Sequence, residues 1–144
     1  DQILEQGEGS QVVYVFSDPA CGHCQKLEQT LAAMTTLRVR TILLPLQPGS
    51  SDLSRDIWCA SDRQRAWSAW MLKGARPDPA PESCQADVLS RNLALAKGFG
   101  IRATPALVSP DGRVSLGALE APALSAWLNP DQTAVSTVAT EVSP

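Results

Sequence analysis

The stretch VVYVFSDPACGHCQKLEQTLAAM, Val12–Met34, decides the fold. Gln11 to Ser17 is rich in β-branched and aromatic residues and reads as a buried strand. Asp18 and Pro19 stop it. From Cys21 to about Thr36 the pattern becomes helical: Leu27, Leu31 and Met34 recur at spacings of four and three, while Lys26, Glu28 and Gln29 point elsewhere. Two cysteines and the only histidine, His23, stand where strand meets helix.

A thiolate is the nucleophilic form of cysteine. At the start of a helix the free N–H groups and the dipole favour negative charge. Cys24 is one turn beyond Cys21, near enough for the two sulfurs to bond, and His23 can donate to the thiolate. A redox pair is therefore the leading reading of Cys21-Gly22-His23-Cys24. A purely structural disulfide of this span would constrain little chain. Zinc asks for four ligands, and Cys59 and Cys84 are unpaired singles. Haem attachment needs histidine directly after the second cysteine, where Gln25 stands. No metal and no cofactor are expected.

The chain has 144 residues, enough for one domain. With 44% hydrophobic and 19% charged residues it has the composition of an ordinary globular protein. A net charge of −3 argues against nucleic acid as a partner. No apolar run approaches the roughly 18 residues that cross a bilayer. Asp1 opens the chain and the first methionine is Met34, so a mature form or a cut domain is expected, with any signal peptide already removed.

Outward from the opening stretch, residues 1–9 read as a leader and Arg38–Leu46 as a second strand covered on both faces. A helix is expected from Ser51 to about Gly74, then an irregular proline-rich stretch, Gly74–Ser83, and a helix over Ala86–Gly98. A hairpin follows, with arms Ala106–Ser109 and Arg113–Leu116 about the turn SPDG. Pro122 begins a last helix to about Leu128, and 129–144 reads as a frayed tail. Strand–helix–strand followed by hairpin and helix builds a mixed sheet with helices on both faces.

Two features stay open on the residues alone. Cys59 and Cys84 are either two independent buried thiols or a structural disulfide, which would imply an oxidising compartment. Thr104-Pro105, directly before a strand, is either trans or cis; a cis bond would set the Thr104 backbone beside the CxxC sulfurs, free to pair with a substrate peptide. The four tryptophans read as core or partly exposed helix residues rather than as a binding platform.

Taken together, FSDPACGHC, IWCASD, ESC and GIRATPALVSPDGRV resemble the catalytic domain of the bacterial periplasmic disulfide isomerases, the DsbC/DsbG family, over Val12–Leu128. The resemblance implies an α/β, thioredoxin-like fold with a helical insertion at about 50–98 and a domain over 10–128. Cys21 would attack and Cys24 resolve, with Gly22 and His23 between them. Pro105 would be the cis-proline, Thr104 would contact substrate, and Cys59–Cys84 would be the second, structural disulfide. Misfolded disulfide-containing proteins become the expected substrates and a membrane thiol reductase the redox partner. The expected location is the periplasm. Family members carry an N-terminal dimerisation domain, whereas only a nine-residue stub precedes the strand here; either that domain lies upstream of Asp1 and would make a homodimer, or this is a stand-alone member.

Two further departures bear on function. The histidine of Gly22-His23 replaces the tyrosine common in the family's isomerases and also occurs in the oxidant DsbA, so a dithiol oxidase is the alternative activity. Many thioredoxin relatives bury an acid six residues before the first cysteine; that position holds Val15. Asp18, nearer the joint, is expected to be exposed and without a catalytic role. A redox-inactive binding or holdase module and a metal carrier are the readings from other classes.

Overall fold

A computed structural model describes residues 2–130. Its centre is β2 (Gln11–Ser17), whose alternating residues serve two layers. Val13 and Val15 pack with Leu27, Leu31 and Leu124 on one face; Phe16 packs with Ile42, Ala96 and Ile101 on the other. A strand with both faces covered needs this run of apolar residues. Helix α1 (Gly22–Ala33) then carries the chain over the sheet to β3 (Leu37–Leu43). Strands β2 and β3 are parallel, with Val13 beside Val39 and Phe16 beside Ile42.

The opening residues are not a leader. Leu4–Gln6 form β1, antiparallel to β3 with Leu4 opposite Thr41, and Leu4 is buried. Glycines make this strand possible. Gly7 has φ +83°, and a Cβ on Gly9 would run into the Thr36 backbone. The Gly9 N–H instead donates to Leu37 O at 3.3 Å. Three residues, Leu-Glu-Gln, followed at once by glycine are too few to carry a periodicity, so the sequence pattern could not show the strand.

The long helix expected over 51–74 is two helices, α2 (Ser50–Trp58) and α3 (Arg63–Lys73). Asp62 supplies the break: its carboxylate accepts from Arg65 N at 3.1 Å and caps α3. Cys59, at the end of α2, is disulfide-bonded to Cys84, 25 residues on, with Cα atoms 6.2 Å apart. The proline-rich stretch between them is irregular but pinned. Arg55 Nη2 donates to Pro81 O at 2.7 Å and Cys84 O at 2.9 Å, and Ala80 N donates to Asp56 at 2.8 Å.

Helix α4 (Val88–Gly98) covers the face opposite α1. The hairpin β4 (Ala106–Val108) and β5 (Val114–Leu116) and the helix α5 (Ala121–Leu128) complete the fold. The sheet order is β1-β3-β2-β4-β5, and only the β2–β3 pairing is parallel. Of the tail expected over 129–144, residues 131–144 lie outside the described residues. Asn129 is tied down, accepting from Gln11 Nε2 at 2.9 Å. Among the described residues no helix is long and apolar enough to cross a membrane.

Closing a loop of this length by the Cys59–Cys84 bond stabilises by about 3–4 kcal/mol in the chain-entropy model. Replacing both cysteines by alanine is expected to lower the unfolding free energy by about that amount. Urea denaturation of the oxidised wild type and the double variant would measure it.

Candidate active site

The end of β2 delivers Cys21 to the start of α1. Cys21 is the N-cap: its backbone is extended, its carbonyl accepts from Gln25 N at 3.1 Å, and its sulfur accepts from Cys24 N at 3.3 Å. A sulfur in the place of a serine hydroxyl thus satisfies one of the free N–H groups of the first turn. Cys21 and Cys24 are both unpaired thiols. Cys21 keeps a 6% exposed edge, whereas Cys24 is 1% exposed.

From the other side of the sheet comes the loop before β4. Strands β2 and β4 are antiparallel, with Phe16 opposite Ala106. That register sets Thr104 beside the cysteines, and Cys21 Sγ lies 3.7 Å from Thr104 O. The Thr104-Pro105 bond is cis. Pro105 is buried and Thr104 half-buried. Beside them opens a hollow of about 400 Å³ lined by His23, Lys26, Thr30, Thr104, Leu119 and Glu120. His23 is exposed at its rim, and Gly22, also exposed, begins α1. Cys21, Gly22, His23, Cys24, Thr104 and Pro105 are therefore together. Cys59 and Cys84 stand apart as the disulfide of the helical insertion.

The two thiols are unlike. Burial above all, helped by the hydrogen bond with the Cys21 sulfur, pushes Cys24 up to about 12. The Asp18 backbone N–H opposes this, donating to Cys24 Sγ at 3.5 Å. The hydroxyls of Thr104 and Ser17 pull in the same lowering direction. At neutral pH Cys24 remains protonated. Among the described residues no cluster of three or more histidine, cysteine, aspartate or glutamate side chains could hold a metal ion.

Chains of this architecture are found among known proteins. The thioredoxin-like domain family matches residues 1–130. The chain belongs to the thioredoxin-like family. It is similar to the probable thiol:disulfide interchange protein DsbC of Bordetella pertussis, with 44% identity over 124 residues, 85% of this chain and 43% of that protein. To the thiol:disulfide interchange protein DsbC of Escherichia coli K12 it is 32% identical, over 80% of this chain and 49% of that one. The chain thus spans less than half the length of these curated relatives. The crystal structure of a disulfide interchange protein from Neisseria gonorrhoeae superposes with a TM-score of 0.82 at 32% identity. That match covers 92% of this chain and 96% of the other.

Two acidic residues differ from their sequence reading. Asp18 is fully buried rather than exposed. The legible signal was Asp-Pro: an aspartate there accepts from the N–H two residues on, and Ala20 N donates to Asp18 Oδ1 at 2.9 Å. Glu28 does not point away from the core; it is 1% exposed and shares the buried face of α1 with Cys24, Leu27 and Leu31. Its spacing of four from Cys24 was the available clue. Gln6 Nε2 on β1 donates to its carboxyl at 2.8 Å, and Gln64 and Ser68 of α3 donate to the Gln6 carbonyl oxygen.

Burial lifts Glu28 to about 7, against the pull of the Gln6 amide and the neighbouring Trp67 indole N–H. Below about pH 4.5 the carboxyl is protonated in folded and unfolded chains alike. Between there and pH 7 the unfolded chain loses the proton that the folded chain keeps, so stability falls as pH rises and then levels off. The penalty at pH 8 is about 3 kcal/mol. Denaturation of wild type and Glu28→Gln at pH 4.5 and pH 8 should show the variant gaining about that much relative stability at the higher pH.

Proposed function

We propose that this domain is a thiol–disulfide oxidoreductase acting on protein disulfides, chiefly as an isomerase and reductase. The observation that carries the reading is the placement of two unpaired, chemically unequal thiols at a helix N-terminus against the Thr104 carbonyl. The similarity to proteins named for thiol:disulfide interchange supports the same reaction class.

Cys21, which keeps an exposed edge and whose sulfur accepts from the Cys24 N–H at the helix start, is the attacking residue. Its thiolate displaces one sulfur of a substrate disulfide; a Cys21–substrate bond forms, and the departing sulfur takes up a proton. A different substrate thiol can then attack the mixed disulfide. That frees Cys21 and leaves the substrate re-paired, with no net electron transfer. Alternatively Cys24 attacks Cys21 Sγ, which forms the Cys21–Cys24 disulfide and releases a substrate reduced by two electrons. In this reading the Thr104 backbone, beside Cys21, pairs with the substrate's extended backbone, which its 3.7 Å distance from Cys21 Sγ supports. In the same reading His23, at the rim of the hollow, donates to the reacting sulfur.

The Cys59–Cys84 disulfide fits an oxidising compartment, and so a periplasmic location. In such a compartment the Cys21–Cys24 pair needs electrons to stay a dithiol, and a membrane thiol reductase is the partner proposed to supply them. Dithiol oxidation is the competing direction for the same pair, favoured by His23. Equilibration with glutathione separates them. A markedly reducing potential for Cys21–Cys24 supports the isomerase and reductase reading, and one near that of a strong oxidant supports disulfide donation.

Cys21→Ser is expected to abolish reactivation of a protein with scrambled disulfides. Cys24→Ser is expected to form mixed disulfides that accumulate and release only through substrate thiols. Gel analysis of trapped complexes checks both. Full reactivation by Cys21→Ser would refute the role given to Cys21, and a wild type that suppresses aggregation without reactivating the scrambled protein would leave a binding module in place of an enzyme.

A further inference from the structure

Asp18 stands between the two cysteines and the remainder of the fold. Its carboxylate is fully buried, and each oxygen is occupied. Oδ1 accepts from Ala20 N at 2.9 Å; Oδ2 accepts from Leu46 N and Gln47 N, both at 2.8 Å, and from Ser50 Oγ at 3.3 Å. A buried carboxylate is tolerated only with such donors around it. They come from the segment after β3 and from the first residue of α2, so the side chain clasps two separate pieces of chain to the end of β2.

The backbone of the same residue reaches both cysteines. Asp18 O accepts from Cys21 N at 3.1 Å, and Asp18 N donates to Cys24 Sγ at 3.5 Å. We propose that Asp18 is a positioning residue for the resolving step: its clasped carboxylate fixes the direction of its own backbone N–H, which steadies Cys24 Sγ as that sulfur turns to attack the mixed disulfide. The proposal rests on the reading of Cys21 as attacker and Cys24 as resolver.

The step balances without any further reactant. Cys24 S–H meets the Cys21 Sγ–substrate bond. The Cys24–Cys21 bond forms, the Cys21–substrate bond breaks, and the Cys24 proton passes to the departing sulfur. Negative charge builds on Cys24 Sγ during this exchange in a site closed to water, where one directed N–H has a large effect. Burial is what opposes ionisation at Cys24, and the Asp18 N–H is the first of the groups that counter it. The attack by Cys21 on a substrate disulfide precedes this and makes no use of the Asp18–Cys24 contact.

Stopped-flow mixing of the reduced protein with 5,5′-dithiobis(2-nitrobenzoate) separates the two steps. The first coloured phase scales with reagent concentration and reports attack by Cys21. The second is independent of reagent and reports closure by Cys24. Asp18→Asn keeps the shape but puts an N–H₂ against the donors, and is expected to slow the second phase by about tenfold or more. The first phase should stay near the wild-type rate. Ser50→Ala, which removes one donor, should slow the second phase by about threefold. Equal slowing of both phases in Asp18→Asn, or an unchanged second phase, overturns the proposal as a merely structural role would. Should circular dichroism show Asp18→Asn unfolded, Ser50→Ala decides alone, and a wild-type second phase in it overturns the proposal. A wild type that lacks the first phase refutes the oxidoreductase reading itself, which is a separate outcome.

Discussion

The site depends on the register between β2 and β4. Phe16 sits opposite Ala106, and each is a few residues from a functional loop: Cys21 lies five beyond Phe16, and Thr104 two before Ala106. Antiparallel pairing brings those loops to the same end of the sheet. A shift by one residue would turn Phe16 and Val15 onto the wrong faces, exposing apolar groups and uncovering two core clusters. Packing on both sides of β2 therefore fixes the cysteine-to-carbonyl contact as firmly as any bond within the site.

Within that frame, depth separates two chemically identical side chains. One turn of helix takes the chain from Cys21, with an edge in solvent, to Cys24, enclosed with Leu43, Ile57 and Trp67. The helical insertion supplies much of this enclosure, because Ile57 and Trp67 belong to α2 and α3. Its disulfide and the Arg55 contacts to Pro81 and Cys84 hold that cover in one shape.

Much of this was legible in the residues. The β-rich run 11–17, the helical spacing after Cys21 and the two-cysteine motif were enough to read the central strand–helix unit and the two neighbouring thiols without any tertiary information. The other features required it. Strand β1 is three residues long and exists because β3 offers it an edge and two glycines allow a close approach. The continuous helix over 51–74 failed because apolar spacing persists across Cys59–Asp62 while the backbone does not; the Ser-Asp pair at 61–62 was the stop signal. Polarity misplaced Asp18 and Glu28, because charge predicts exposure except where several donors converge, and convergence is invisible in one dimension. The Thr104-Pro105 isomer was likewise undecided by pattern, since the same dipeptide serves either geometry.

The two outer strands, β1 and β5, are each only three residues long. An edge this brief offers few free amides and carbonyls for another chain to zip onto. A domain proposed to meet unfolded polypeptides would otherwise risk being recruited into their aggregates. Truncated margins leave a visiting peptide little to grip at the rim, which suits the proposal that it pairs instead with the Thr104 backbone beside Cys21 Sγ.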